Sequence, residues 1–429
     1  MSGAGERIGY WGAVAIGVGG MVGGGIFAVL GLAVQLARGG TPIAFAIAGV
    51  VALLTAYAYA KLSVRYPSRG GTVVFLDRAF GVDLLTGTFN SLLWLSYMVM
   101  VALYAFAFGS YGATFFAPEH RDVATKVLVA AGILVPTAIN TLNARIIGRA
   151  ETWVVALKLL ILSIFVAVGL SGVDTAALSP TAWAPAASLV AGGMIIFVAY
   201  EGFELIANSA EDVAEPRRTL PRAFYSSVGF VLALYVLIAV VAVGSLPVDR
   251  IVSAKDYALA AAAEPVLGHA GFVLISVAAL LSTFSAINAT LYGASRLSYA
   301  IAKEGELPQF LEQTIWNEHL DGLLITAAVA LVLGLVGDIE SISTMGSAGF
   351  LLIFGAVNAA NLKLYRETGS RPWISALGVL ACVAALGALI WQTVRTDPSQ
   401  LWILAAMVGL AFTIEALYRL WGRELKLGR

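Results

Sequence analysis

Apolar residues run through this chain in long stretches, at about 8–37, 41–62, 83–117, 124–141, 150–170, 186–209, 223–246, 267–302, 320–337, 341–364, 373–393 and 399–421. Most reach or approach the roughly 20 residues that a helix needs to cross a hydrocarbon core of about 30 Å. The period-two alternation of a barrel strand is absent. In lipid, a helix satisfies its own backbone hydrogen bonds within one segment. The pattern predicts an all-α integral membrane protein with 12 transmembrane helices, called segments 1 to 12 in chain order. Segment 1 follows Arg7 as a signal peptide would, but its apolar run is too long and no clear cleavage site follows, so it reads as a retained span.

Composition sharpens this picture. Of 429 residues, 59% are hydrophobic and only 12% charged, about half the share near 25% usual in soluble proteins. Lys plus Arg and Asp plus Glu both number 26. The basic excess of a nucleic-acid binder is missing, so no nucleic-acid partner is expected. The single cysteine, Cys382, lies in an apolar run and allows no intramolecular disulfide. No cofactor or metal motif stands out, and His120, His269 and His319 all fall in expected loops.

The cations orient the segments. With the N-terminus inside and the sides alternating, Arg7, Lys61, Arg65, Arg69, Arg78, Arg145, Arg149, Arg217, Arg218 and Arg222 fall on the inner side. So do Arg296, Lys303, Lys363, Arg366, Arg371, Arg419, Arg423, Lys426 and Arg429. The outer side receives only Arg38, Arg121, Lys126, Arg250, Lys255 and Arg395, and Lys158 is left inside a span. This bias is the positive-inside pattern, and it predicts a multi-pass protein of the plasma or inner membrane with both termini cytoplasmic.

Two segments are interrupted. Segment 1 contains Gly17-Val18-Gly19-Gly20-Met21-Val22-Gly23-Gly24-Gly25-Ile26-Phe27, and segment 6 contains Phe197-Val198-Ala199-Tyr200-Glu201-Gly202-Phe203-Glu204. Segments 3 and 8 are overlong: 35 residues rise about 50 Å, well beyond the bilayer core. Both pairs are five segments apart. An odd offset starts the second copy from the opposite side of the membrane, which predicts an inverted repeat: 8–170, then 186–364, with two added helices over 373–421. Glycines at this spacing also serve close helix packing. The matched break in segment 6 favours a binding site, because paired interruptions in inverted halves point to a transporter's substrate site. A phosphate loop is excluded, since the run lacks its Gly spacing and closing Lys-Ser or Lys-Thr.

Unwinding segment 1 would create two half-helix ends in mid-membrane. The start of the second half, near Gly23, Gly24 and Gly25, would offer amide donors and a positive dipole end suited to a carboxylate. The end of the first half, near Gly19, Gly20 and Met21, would offer carbonyls. So would segment 6 near Phe197, Val198 and Ala199. These negative ends suit an ammonium. Together the two poles fit an α-amino acid zwitterion.

The run Gly20 to Phe27 resembles the amino acid–polyamine–organocation transporter family, whose members usually carry Gly-Ser-Gly or Gly-Ala-Gly where this chain has Gly23-Gly24-Gly25. The resemblance continues in Leu62 to Gly71, Arg78-Ala79-Phe80-Gly81, Phe197 to Glu204, Ala210-Glu211-Asp212, Pro216-Arg217-Arg218, Leu220 to Ala223, and Arg296 to Ala302 with Gly305 to Pro308. It covers roughly 8–310 in the family's order. It implies a single transporter domain with a five-plus-five inverted-repeat fold, discontinuous segments 1 and 6, and secondary transport of amino acids or related amines.

Charges inside a span cost roughly 2.5–3.5 kcal/mol at a helix centre and need a reason. Lys158 lies in the middle of segment 5, too deep for snorkelling to serve it well. The resemblance implies that its ammonium replaces the sodium ion which sodium-driven relatives hold between segments 1, 5 and 8, as in the proton-dependent permeases. Its expected neighbours are the Gly19 carbonyl and the hydroxyls of Ser282, Thr283 or Ser285. A lysine in low-dielectric surroundings can release and regain a proton within a transport cycle, so protons are the expected coupling ion. A purely structural Lys158 is the competing reading.

Glu204 stands where the family commonly carries an acid near a gate, and helix capping explains it equally well. Glu201 is less usual. It can bind a cationic side chain, neutralise Lys158, or stand protonated in an apolar wall, and these readings stay open. Tyr97, Tyr104, Phe197, Tyr200 and Phe284 are candidate pocket walls, Tyr200 first. Glu415 is expected at the membrane interface.

The expected function is a secondary active transporter, not an enzyme, working by alternating access on a small amino acid or amine substrate. Exchange of cationic amino acids or polyamines is the alternative. A channel ranks lower, because no filter-like repeat appears, and an intramembrane enzyme lacks a recognisable metal or nucleophile cluster. Side-chain preference, symport against exchange, and monomer against homodimer are not encoded in any motif.

Overall fold

The computed structural model describes residues 7–142, 147–303, 307 and 320–421. Arg145, Gly305, Pro308, His319, Arg423, Lys426 and Arg429 lie outside the described residues, as does the side chain of Arg149. Segment 1 forms α1 (Tyr10–Met21) and α2 (Gly25–Ala37), and segments 2 to 5 form α3 (Thr41–Arg65), α5 (Leu84–Ala113), α6 (Arg121–Leu142) and α7 (Ile147–Gly169). A short α4 (Thr72–Phe80) precedes α5. Segment 6 forms α8 (Ala186–Ile195), a 3-10 turn (Phe197–Tyr200) and α9 (Leu205–Asn208). Then follow α10 (Pro216–Ser245), α11 (Val248–Ser253), α12 (Ala258–Lys303), α13 (Leu320–Val336), α14 (Ile339–Lys363), α15 (Tyr365–Thr368), α16 (Pro372–Thr396) and α17 (Gln400–Trp421).

Among the described residues, nine helices are long and apolar enough to cross a bilayer, and the two bent pairs α1–α2 and α8–α9 bring the number to eleven. The remaining expected segment corresponds to α13, whose 17 residues rise only about 25 Å. Overlength is less selective than the sequence suggests. α5 and α10 both run 30 residues, because α10 begins at Pro216, seven residues before its apolar stretch. α12 continues back across Gly268, whose φ of 68° kinks it away from a straight course.

Local chemistry sets the helix starts. Asp83 caps α5 by accepting the Thr86 amide at 2.9 Å, and that bond holds its carboxyl below the ordinary range. Asp338 caps α14 from the Glu340 and Ser341 amides, both at 3.0 Å. Pro42, Pro216 and Pro372 occupy first-turn positions where no amide donor is needed. α5 is the central post, 89% buried over its span window, whereas α16 and α17 are 28% and 22% buried and face outward.

Glu415 on α17 is fully buried within the protein, because it ion-pairs with Arg419 one turn on and lies where a side chain at Gly87 of α5 would stand. The missing Gly87 side chain makes the room.

The N-terminal side is tied by backbone. Ile8 donates to the Asp212 carbonyl at 2.8 Å and accepts from the Ala214 amide at 2.9 Å. Arg69 reaches Glu211 at 3.6 Å and Asp212 at 3.3 Å. On the other side, the Gly39 amide donates to Ala182 at 3.1 Å, and Lys255 pairs with Glu340 at 3.6 Å.

The two bends meet. A Cβ on Gly202 would stand 2.4 Å from the Gly20 carbonyl carbon, and Gly202 holds a φ of 113°. Glycine alone allows both the conformation and the approach. Replacing Gly202 with alanine is therefore expected to destabilise the protein by about 2–4 kcal/mol, from backbone strain plus overpacking. Thermal unfolding in detergent checks this, and a Gly202→Ala midpoint equal to wild type would refute it.

Candidate functional site

The bends between α1 and α2 (46°) and between α8 and α9 (48°) leave main-chain groups without helical partners in a site that is almost wholly buried. Gly20 faces Gly202, and Gly25 faces the Ala199 Cα. An unpaired backbone group here would carry the full desolvation penalty, and the surrounding helices meet that demand.

On the α1 side, Lys158 of α7 donates to the Gly19 carbonyl at 3.2 Å. The Gly23 amide donates to the Gly20 carbonyl at 3.1 Å. Tyr235 of α10 donates to the Met21 carbonyl at 2.7 Å. Ser282 of α12 reaches the Val22 carbonyl at 2.8 Å and also the Gly23 carbonyl. Each carbonyl retains a second lone pair for a ligand donor. The first amides of α2, at Gly25, Ile26 and Phe27, precede any acceptor within their own helix and form the positive pole.

On the α8 side, the helix stops at Ile195, before the expected Phe197–Ala199 end. Ser343 and Ser347 of α14 donate to the Ile195 carbonyl at 2.8 and 2.6 Å, and Ser347 accepts the Val198 amide at 2.9 Å. Two acids complete the site. Glu201 (3% exposed) receives the Tyr104 hydroxyl at 2.9 Å. Glu204 accepts the Gly202 amide at 2.8 Å and the Tyr97 hydroxyl at 3.3 Å. Glu204 thus pins the bend locally while reaching across to α5.

The structure brings together most of the residues singled out from sequence. Gly19, Gly20, Met21, Gly23, Gly24 and Gly25 stand against Phe197 to Glu204, with Lys158 and Ser282 on the α1 side. Lys158 is 1% exposed, so its position is not a snorkelling one. Thr283 instead turns back to Ala279 of its own helix at 2.7 Å, and Ser285 is half-buried. Tyr200 points away from the gap, donating to Phe45 of α3 at 2.8 Å and packing on Tyr235 at 5.3 Å. Phe284 packs on Phe108 at 6.1 Å.

Tyr235, Ser343 and Ser347 were not singled out. The serine pair did carry a signal, since two hydroxyls four residues apart share one face of a membrane-spanning helix.

A cavity of about 180 Å³ opens beside the bends on the N-terminal side, lined by Ile16, Arg69, Leu205, Asn208, Tyr292 and Arg296 among others. On the opposite side the bends are covered. There the Lys255 carbonyl would lie 2.1 Å from a side chain on Gly31 of α2.

Residues 8–412 match the amino acid permease family. The chain is 33% identical over 416 residues to an uncharacterised protein of Methanocaldococcus jannaschii, covering 96% of this chain and 95% of the relative. It is 32% identical over 405 residues to the inner membrane transport protein YbaT of Escherichia coli, covering 94% of each. It is 27% identical over 446 residues to the cationic amino acid transporter 9, chloroplastic, of Arabidopsis thaliana, covering 96% of this chain and 77% of the relative.

The serine pair makes a graded test. Ser347→Ala strands the Val198 amide and is expected to cost about 1–3 kcal/mol. Ser343→Ala should cost less, since Ser347 still serves the Ile195 carbonyl. Thermal midpoints of the two purified variants check the order, and a larger loss for Ser343→Ala would contradict it.

Proposed function

Because the chain belongs to the amino acid permease family, we propose that it is a secondary active transporter that carries amino acids by alternating access and couples them to protons. The observation that carries this reading is the meeting of two bent spans, with bare amides at the start of α2 and freed carbonyls at the end of α1. A zwitterion matches that pair of poles: its carboxylate faces the α2 amides and its ammonium the carbonyls near Gly19, Gly20 and Met21. Phe197, Val198, Ala199 and Glu201 form the opposing wall, to which Tyr200 adds only its backbone.

Access follows from the asymmetry around the bends. The cavity lined by Arg69 and Arg296 approaches them as far as Ile16 and Leu205 on the side that carries the N-terminus, while Lys255–Tyr257 and α2 cover them from the other. The cation bias makes the open side cytoplasmic. This conformation then corresponds to the inward-facing stage, with both termini in the cytoplasm, in a plasma or inner membrane. Twelve segments in two inverted five-helix halves, plus α16 and α17, give the alternating geometry its symmetry.

Lys158 supplies the coupling. Its ammonium, on a helix that packs against both α1 and α12, is bonded to the Gly19 carbonyl of α1. Losing its proton weakens that bond and loosens α1 from α7, so proton release and substrate release share one hinge. Glu204 holds the second bend to Tyr97 and serves as the gate acid.

Uptake of a labelled amino acid panel into proteoliposomes, with and without pH and sodium gradients, tests the function. Saturable uptake driven by an inward proton gradient and indifferent to sodium is expected. Uptake driven only by sodium, or no amino acid uptake at all, would overturn the reading. Lys158→Ala and Lys158→Met are expected to abolish gradient-driven uptake, and wild-type proton dependence in either variant would end the coupling role.

A further inference from the structure

One side chain spans the gap between the two bends. Tyr104 of α5 lies over the start of α2, where a Cβ built on Gly24 would fall 2.3 Å from the ring Cδ1 and 3.0 Å from both Cε1 and Cγ. No side chain fits at 24 while the ring is there, so the ring rests on the bare Gly24 backbone. At its other end the hydroxyl donates to Glu201 Oε2 at 2.9 Å. The ring is 2% exposed and Glu201 3%. Tyr104 therefore links the donor pole of the first bend to the acid of the second. The wall continues one turn away, where Met100 and Val198 crowd the face of Gly346 on α14.

We propose that Tyr104 is the specificity-determining residue of this pocket, restricting it to α-amino acids with small uncharged side chains. The inference rests on the two-pole reading above. A ligand whose carboxylate meets the α2 amides must place its side chain in the space beside Gly24, and the Tyr104 ring fills that space. A large side chain has to evict the ring. A cationic side chain has to pass the same ring to reach Glu201, whose Oε2 already accepts the Tyr104 hydroxyl. Gly24 and Tyr104 are consequently a matched pair, and anything larger at 24 requires something smaller at 104.

Purified wild type, Tyr104→Ala, Tyr104→Phe, Gly24→Ser and the double variant Gly24→Ser/Tyr104→Ala test this, each challenged with alanine, serine, leucine, phenylalanine and arginine. Thermal stabilisation by ligand and counterflow in proteoliposomes are both read. Wild type is expected to favour alanine and serine. Tyr104→Ala should shift the leucine-to-alanine preference by about tenfold or more toward leucine, the scale on which pockets discriminate methylenes. Tyr104→Phe should keep the size order but gain arginine, because Glu201 is released. Gly24→Ser should lose ligand response, and the double variant should recover it.

A Tyr104→Ala protein with the wild-type ranking overturns the inference alone. So does a Gly24→Ser protein that responds like wild type, or a double variant no better than Gly24→Ser. A wild type that no amino acid stabilises and that shows no counterflow overturns the transport reading and this inference together.

Discussion

A polar backbone group in lipid has no water to fall back on, and this constraint governs the whole molecule. Two spans are broken in the middle, so amides and carbonyls are released where nothing but protein can answer them. Four neighbouring helices contribute groups for that purpose: Lys158 from α7, Tyr235 from α10, Ser282 from α12, Ser343 and Ser347 from α14. The bundle is arranged around these unmet bonds. Gly20 and Gly202 let the two breaks touch, and the central burial of α5 brings Tyr97 and Tyr104 to the acids of the second break.

This arrangement separates holding from moving. The carbonyls bonded by neutral hydroxyls are fixed at any pH near neutrality. The Gly19 carbonyl is held instead by the Lys158 ammonium, a charged donor on a different helix. The α1 half ends two residues beyond that carbonyl, at Met21, and also lines the cavity through Ile16. Lys158 therefore bonds the same half-span that borders the cavity, whereas α2 is packed against Lys255–Tyr257 on the covered side.

Much of this was legible in the sequence, for physical reasons. Hydrocarbon thickness fixes span length, so element positions follow from apolar runs. Six glycines within nine residues of one span, from Gly17 to Gly25, weaken a helix where it can least tolerate loss, so the first break was visible, and the second followed from its matched place. Lys158 was conspicuous because an isolated cation is expensive in lipid, and its bond to Gly19 lies where the resemblance implied.

What the sequence hid was direction and partnership. Ser282, Thr283 and Ser285 looked equivalent. Only helix phase decides that Ser282 faces the break while Thr283 bonds back to its own turn. Tyr200 lies in the break yet turns its hydroxyl to Phe45, and Glu415 is buried by a gap at Gly87, far away along the chain. Such pairings belong to packing, which leaves no local mark. The most direct measurement is an experimental structure in lipid nanodiscs with alanine bound. The account predicts the ligand's carboxylate within hydrogen-bond distance of the amides at 25–27, its ammonium at the carbonyls of 19–21, and both spans still broken. Continuous helices through 17–27 and 197–204, or alanine seated elsewhere, would contradict it.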